Sequence, residues 1–167
     1  MHSKVFVVEY LDDKEKHDPV DEEDIFRELP TGADYAGEFP LDQYCEKDFE
    51  IVFCGCTASV EKKNNGFLVT LDREKLRDFF IARSRILEEK NKKFRKCLET
   101  GDIPAGCVSL YELASFVRDA YGLRVYDTAL EYQNDIMTWM CDTLRQAITE
   151  NHDSIQFLVT RVFDWHY

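Results

Sequence analysis

The sequence predicts an α+β domain: a roughly four-stranded, mostly antiparallel sheet with a central hairpin, packed against about three helices. Three observations predict it. Runs of β-branched and aromatic residues open and close the chain, at Lys4–Tyr10 and Ile155–Phe163. An Asn64-Asn65-Gly66 turn between two further runs marks a hairpin. Between the hairpin and the closing run lie stretches with apolar residues at helical spacing, and no strand–helix–strand alternation asks for a parallel sheet.

Each element has its own reason. Lys4–Tyr10 (KVFVVEY) reads as a strand that stops where acids begin. Asp21 caps a short helix whose first turn holds Glu22, Glu23 and Asp24, acids that suit the positive end of the helix dipole, and Pro30 and Gly32 stop it. Residues 31–50 carry two Gly, a Pro, aromatics and many acids, and read as a loop that packs its aromatics. Ile51–Val60 reads as a buried strand with Gly55 as a bulge, and Phe67–Leu71 as its hairpin partner. Asp72 caps a long helix from about Arg73 to Leu98, ended by Gly101 and Pro104. Ser109-Leu110-Tyr111-Glu112 has the form of a capping box for a second helix that ends at Gly122. Asp127 caps a third, running to about Glu150. All 167 residues are expected to form one domain, with 11–50 acidic and loop-rich and 72–150 helical.

Charge is the most informative feature. The net charge is −12, but it is not evenly spread. Residues 1–50 hold 16 acids against 5 bases, residues 51–100 hold 7 acids against 12 bases, and residues 101–167 hold 10 acids against 4 bases. A strongly acidic third is therefore followed directly by a basic segment. No apolar run approaches the roughly 20 residues that span a bilayer, and the opening run is too short for a signal-peptide core. The expected location is cytoplasmic, with no membrane contact. Six cysteines without a secretion signal are expected to be reduced, buried thiols.

Motifs for chemistry are scarce. Cys54-Gly55-Cys56 lacks the second ligand pair that a structural zinc site needs, because the histidines are scattered at 2, 17, 152 and 166. No glycine-rich phosphate loop occurs. Acid groups such as Asp12/Asp13 lack the basic surroundings of a nuclease metal site. Ser109–Leu130 loosely resembles a helix-turn-helix, but its second helix carries Asp127, Glu131 and Asp135 where a recognition helix needs bases. No catalytic residue, metal ligand or cofactor is therefore assigned.

The functional expectation rests on charge. The acids Asp12, Asp13, Glu15, Asp18, Asp21, Glu22, Glu23, Asp24 and Glu38, with the aromatics Tyr35 and Tyr44, form a candidate surface for a basic protein. Carboxylates spread over such a surface can stand in for phosphates, so the expected partner is a nucleic-acid-binding enzyme whose basic cleft the chain occupies as an inhibitor. Small inhibitors of the anti-restriction and anti-CRISPR kind, carried by phages and mobile elements, share this charge and size. A second candidate surface is Arg85, Lys92, Lys93, Arg95 and Lys96 on the long helix, the one place where direct nucleic-acid binding is plausible. Two alternatives stand beside this reading. One is a small enzyme with a Cys/His/acid site assembled from distant residues. The other is a structural subunit of a larger complex, which an exposed apolar patch around Trp165 and Tyr167 would indicate.

Overall fold

The computed structural model describes residues 2–11, 20–27, 35–117 and 122–166. In chain order the elements are β1 (His2–Tyr10), α1 (Glu22–Arg27), β2 (Tyr35–Phe39), α2 (Glu46–Val52), β3 (Thr57–Lys63), β4 (Gly66–Asp72), α3 (Arg73–Thr100), α4 (Ile103–Val117), β5 (Arg124–Asp127), β6 (Tyr132–Asp135), α5 (Ile136–Thr149) and β7 (Ser154–His166). A short 3-10 turn at Leu41–Gln43 leads into α2.

The class is α+β, but the expected sheet is too small and too uniform. The strands form one seven-stranded mixed sheet in the order β3-β4-β7-β1-β5-β6, with β2 also paired to β7. β1 and β5 are parallel; the other pairings are antiparallel. Five α-helices are present among the described residues, not about three. Helices cover both faces of the sheet. β1 is buried on both sides: Phe6 and Val8 join the main core, while Val5 and Val7 join a second, smaller one. Its unbroken apolar run is what a doubly covered strand requires.

The main core is a cluster of rings between the sheet and helices α2, α3 and α5, including Phe6, Phe49, Phe53, Phe67, Trp139 and Phe157. Trp139 meets Phe157 edge-on at 5.0 Å, and Phe49 lies 4.6 Å from Phe67. The second core, on the opposite face, gathers Val20, Ile25 of α1, Tyr126, Phe163 and Trp165. Trp165 is therefore 3% exposed and offers no surface that would indicate a structural subunit; Tyr167 lies outside the described residues.

Four local readings fail for identifiable reasons. Residues 46–52 are a helix, not part of a loop or a strand: Phe49 is buried, Glu46, Lys47 and Glu50 are outside, and the Asp48 carboxylate accepts the Cys45 N–H at 2.7 Å to start the turn. That bond also holds the Asp48 carboxyl below its usual range. The predicted strand Ile51–Val60 is interrupted where Cys54 and Gly55 both adopt left-handed backbone, φ 55° and 72°, so β3 starts at Thr57. Helix α4 begins six residues before the predicted cap: Asp102 accepts from the Ala105 N–H, Pro104 occupies the first turn where its missing donor costs nothing, and Ser109 is buried mid-helix. The predicted end at Gly122 follows residues 118–121, which are not described. Asp127 ends β5 and does not cap a helix; the cap of α5 is Asp135, which accepts from the Thr138 N–H.

The hairpin and the long helix are as expected. β3 and β4 pair from Thr57↔Leu71 to Lys63↔Gly66 around Asn64-Asn65. Asp72 accepts from the Lys75 N–H at 2.8 Å, and Gly101 closes α3 in a left-handed cap. Gly66 has φ 150°, and a Cβ there would meet the Val159 carbonyl oxygen at 2.1 Å; Gly101 has φ 70° and open space around it. Gly66→Ala is therefore expected to destabilise by about 3 kcal/mol or more, through backbone collision in the centre of the sheet. Gly101→Ala should cost only the strain of a left-handed alanine, about 1 kcal/mol. Urea unfolding midpoints of the two variants measure the difference.

Candidate functional site: an acidic, aromatic cleft

β1 and β5 are the parallel neighbours in the sheet, and their carboxyl ends stop side by side at Tyr10 and Asp127. In sheets with parallel strands this is where ligand sites form, because the chain leaves the sheet there and opens a crevice. Here a cleft of about 410 Å³ opens between these ends, the β5–β6 hairpin and one face of α5. Tyr10, Tyr132 and Trp139 contribute rings, Asp127 and Asp142 acids, and Asn134 and Gln146 amides. Among the described residues, its lining holds no Lys, Arg, His or Cys.

Asp127 organises the site. It is 4% exposed. Its Oδ2 accepts from the Tyr10 hydroxyl at 3.1 Å and from the Trp139 indole N–H at 3.2 Å. Its Oδ1 accepts from the Ala129 N–H at 3.1 Å. All three donors are neutral, and among the described residues no ion pair reaches this carboxylate. Thr128 fastens the following turn to β1, with both its N–H and its hydroxyl donating to the Val8 carbonyl. On α5, Trp139, Asp142, Thr143 and Gln146 recur at helical spacing and so share one face. The Thr143 hydroxyl is turned into its own helix, donating to the Trp139 carbonyl. Asp142, at the exposed rim, pairs with Arg145 at 2.8 Å.

Those residues singled out from the sequence that the structure describes are placed elsewhere. Asp12, Asp13, Glu15 and Asp18 lie outside the described residues. Asp21 and Asp24 each accept the other's backbone N–H, at 3.0 and 3.2 Å, and so start α1. Glu22 accepts the Glu38 N–H and ties α1 to β2, Glu23 pairs with Arg27, and Glu38 pairs with Arg161. Tyr35 begins β2. Tyr44 packs into the main core against Phe39 and Phe49, and burial raises its phenol to about 12. The acids of α1 and Glu38 are thus brought together, while Tyr44 is not an exposed anchor. Arg85, Lys92, Lys93, Arg95 and Lys96 are all exposed on α3, with Lys93 paired to Glu112 at 2.9 Å.

Cys54-Gly55-Cys56 forms a tight turn. Cys54 is exposed and Cys56 buried, with burial raising its thiol to about 12, so Cys56 is no nucleophile at neutral pH. All six cysteines are free, yet Cys45, Cys54, Cys107 and Cys141 are exposed, against the expectation of buried thiols. Among the described residues no three His, Cys, Asp or Glu side chains cluster as metal ligands would, and no helix is long and apolar enough to cross a membrane. No protein-family model, curated protein or solved structure matches the chain at a significant level.

The Tyr10 phenol is pushed far above its ordinary 10.0, first by burial and then by the Asp127 charge. The folded phenol holds its proton more tightly than the unfolded one, so this contribution to stability is complete below pH 10.0 and is lost as pH rises beyond it. The slope approaches about 1.4 kcal/mol per pH unit for this group. Tyr10→Phe should flatten that alkaline decline in urea unfolding, at a cost near neutrality of about 1 kcal/mol for the lost hydrogen bond.

Proposed function

We propose that this chain is a non-enzymatic binding protein that engages a basic partner and seats one of its Lys or Arg side chains in the cleft. One observation carries the reading: among the described residues, a buried carboxylate held only by neutral donors lines a cleft walled by three aromatic rings, with no basic residue in its lining. Aromatic faces attract cations through their quadrupole, and an acid behind them adds Coulombic attraction that water screens poorly in a crevice. A cleft of this size takes a single extended side chain or a small molecule. The excess acid of residues 1–50 would steer such a partner over longer range. A basic protein built to hold nucleic acid offers the side chains this cleft fits, and occupation of its cleft by the acidic surface gives the inhibitor form of the proposal.

The chemistry favours recognition over catalysis. Among the described residues, the cleft lining contains no thiol, imidazole or amine, and its one hydroxyl outside the tyrosines donates to the helix backbone. The one carboxylate–hydroxyl pair of the described lining, Asp127 with Tyr10, has its phenol held protonated by burial and by the neighbouring charge, the opposite of an activated nucleophile.

Trp139 lines the cleft, whereas the other tryptophan, Trp165, belongs to the second core on the opposite face of the sheet, so a ligand in the cleft is read through Trp139. Titration with an arginine-rich peptide is expected to change tryptophan emission saturably, with affinity falling steeply with salt. Tyr132→Ala and Asp142→Ala, both at exposed positions, should each weaken binding about 3- to 10-fold without altering the fold. Equal response to a neutral peptide of the same length, or a response indifferent to both substitutions, would refute the proposal.

A further inference from the structure

Helices α3 and α4 form an arm. α3 is 28 residues long, about 42 Å. Leu76, near its start, is buried in the main core, and Phe79 and Phe80 pack against it; beyond them its principal neighbour is α4. α4 buries Gly106 and Ser109 against it. Phe116 lies beneath the Arg83 guanidinium at 4.4 Å, and Glu112 reaches Lys93. The opposite side of α4 carries Ile103, Cys107, Leu110, Tyr111 and Ala114 at i, i+4, i+7, i+8 and i+11, all exposed; Tyr111 is 74% exposed and Ile103 63%. This is the spacing of a core-facing stripe, yet it faces solvent.

We propose that this stripe is the interface of a homodimer in which the α4 helices of two copies cross and the two arms form a four-helix bundle. Three observations select a second copy as the occupant. First, Glu112 is the one charged residue of α4, and Lys93 already satisfies it. An occupant must therefore offer an uncharged apolar stripe of its own, and the stripe is its own complement under a two-fold axis. Second, taking Lys90, Phe94 and Cys97 as the side of α3 toward α4, the helical period puts Arg85, Lys92, Arg95 and Lys96 on the far side. Two arms can pack α4 to α4 with their basic faces pointing outward, without repulsion. Third, Ile103, Leu110 and Tyr111 of the stripe, with Val108 and Leu98 beside them, are each about half exposed or more. Monomers rarely leave more than a few hundred Å² of apolar surface contiguous, and pairing two such stripes gives the apolar centre that an interface of roughly 800 Å² per partner requires.

Sedimentation of the full chain at micromolar concentrations is expected to show a dimer. Leu110→Glu with Tyr111→Glu should raise the dissociation constant at least tenfold while leaving circular dichroism unchanged. Cys107 lies near the middle of the stripe, so a two-fold axis there brings Cys107 of the two copies together. A short bismaleimide is then expected to link the unmodified chain into dimers that Cys107→Ser abolishes, a readout that does not require the Glu variant to fold. A chain that stays monomeric, or a dimer indifferent to the Glu substitutions and to Cys107→Ser, overturns the proposal.

Discussion

The architecture depends on the pairing of β7. Its thirteen residues lie in the middle of the sheet, with β1 along one edge and β4 and then β2 in tandem along the other. Its register against β1 shifts between Val7, opposite Arg161, and Val8, opposite Val159, which leaves Thr160 as the extra residue of a bulge. A single extra residue exchanges the faces of everything beyond it. Phe157 and Val159 face the main core before the bulge and Val162 after it, while Phe163 and Trp165 turn to the second core. One strand thereby supplies both cores, and α1 has an apolar surface to cover.

This explains how much of the fold could be read from the residues. The hairpin, the capped start of α3, its glycine end and the two terminal strands are local events, fixed by turn chemistry and side-chain period over a few residues. β5 and β6 have four residues each, RVYD and YQND, too short to show a period. They exist because β1 is buried and needs a neighbour on its second side. β2 likewise exists because the end of β7 is exposed without it. Such strands are specified by partners distant in sequence, so the local signal at Asp127 reads as a helix cap. The cleft was hidden for the same reason: Tyr10 and Asp127 are 117 positions apart and meet only through the β1–β5 pairing. An acid ending a strand, opposite another strand ending in tyrosine, was the available sign, and it required the strand order to be interpreted.

The charge asymmetry divides between folding and surface. Asp21, Asp24 and Glu22 build α1 and fasten it to β2, Glu38 meets Arg161, and Arg83 and Lys93 hold α4 to α3. Exposed pairs of this kind contribute little individually, about 0–1 kcal/mol, but they fix where segments lie. Arg85, Lys92, Arg95 and Lys96 have a different place, on the outer face of the arm, where they keep one side polar while the side around α4 is apolar. The composition therefore records two surfaces of different character on the arm, one basic and one apolar.

Asp127 is costly for the fold. Burying a carboxylate forfeits hydration worth several kcal/mol, and hydrogen bonds from neutral donors recover only part of it. Stability alone would be served by a neutral residue bonded to Tyr10, Trp139 and the turn. The fold instead places a carboxyl there, surrounds it with rings and, among the described residues, leaves the lining without a basic side chain. A residue that opposes stability in an otherwise well-packed core is expected where function demands it. A cationic group entering the cleft would supply the counter-charge that the neutral donors do not, so binding affinity would draw on electrostatic energy the folded chain leaves unsatisfied.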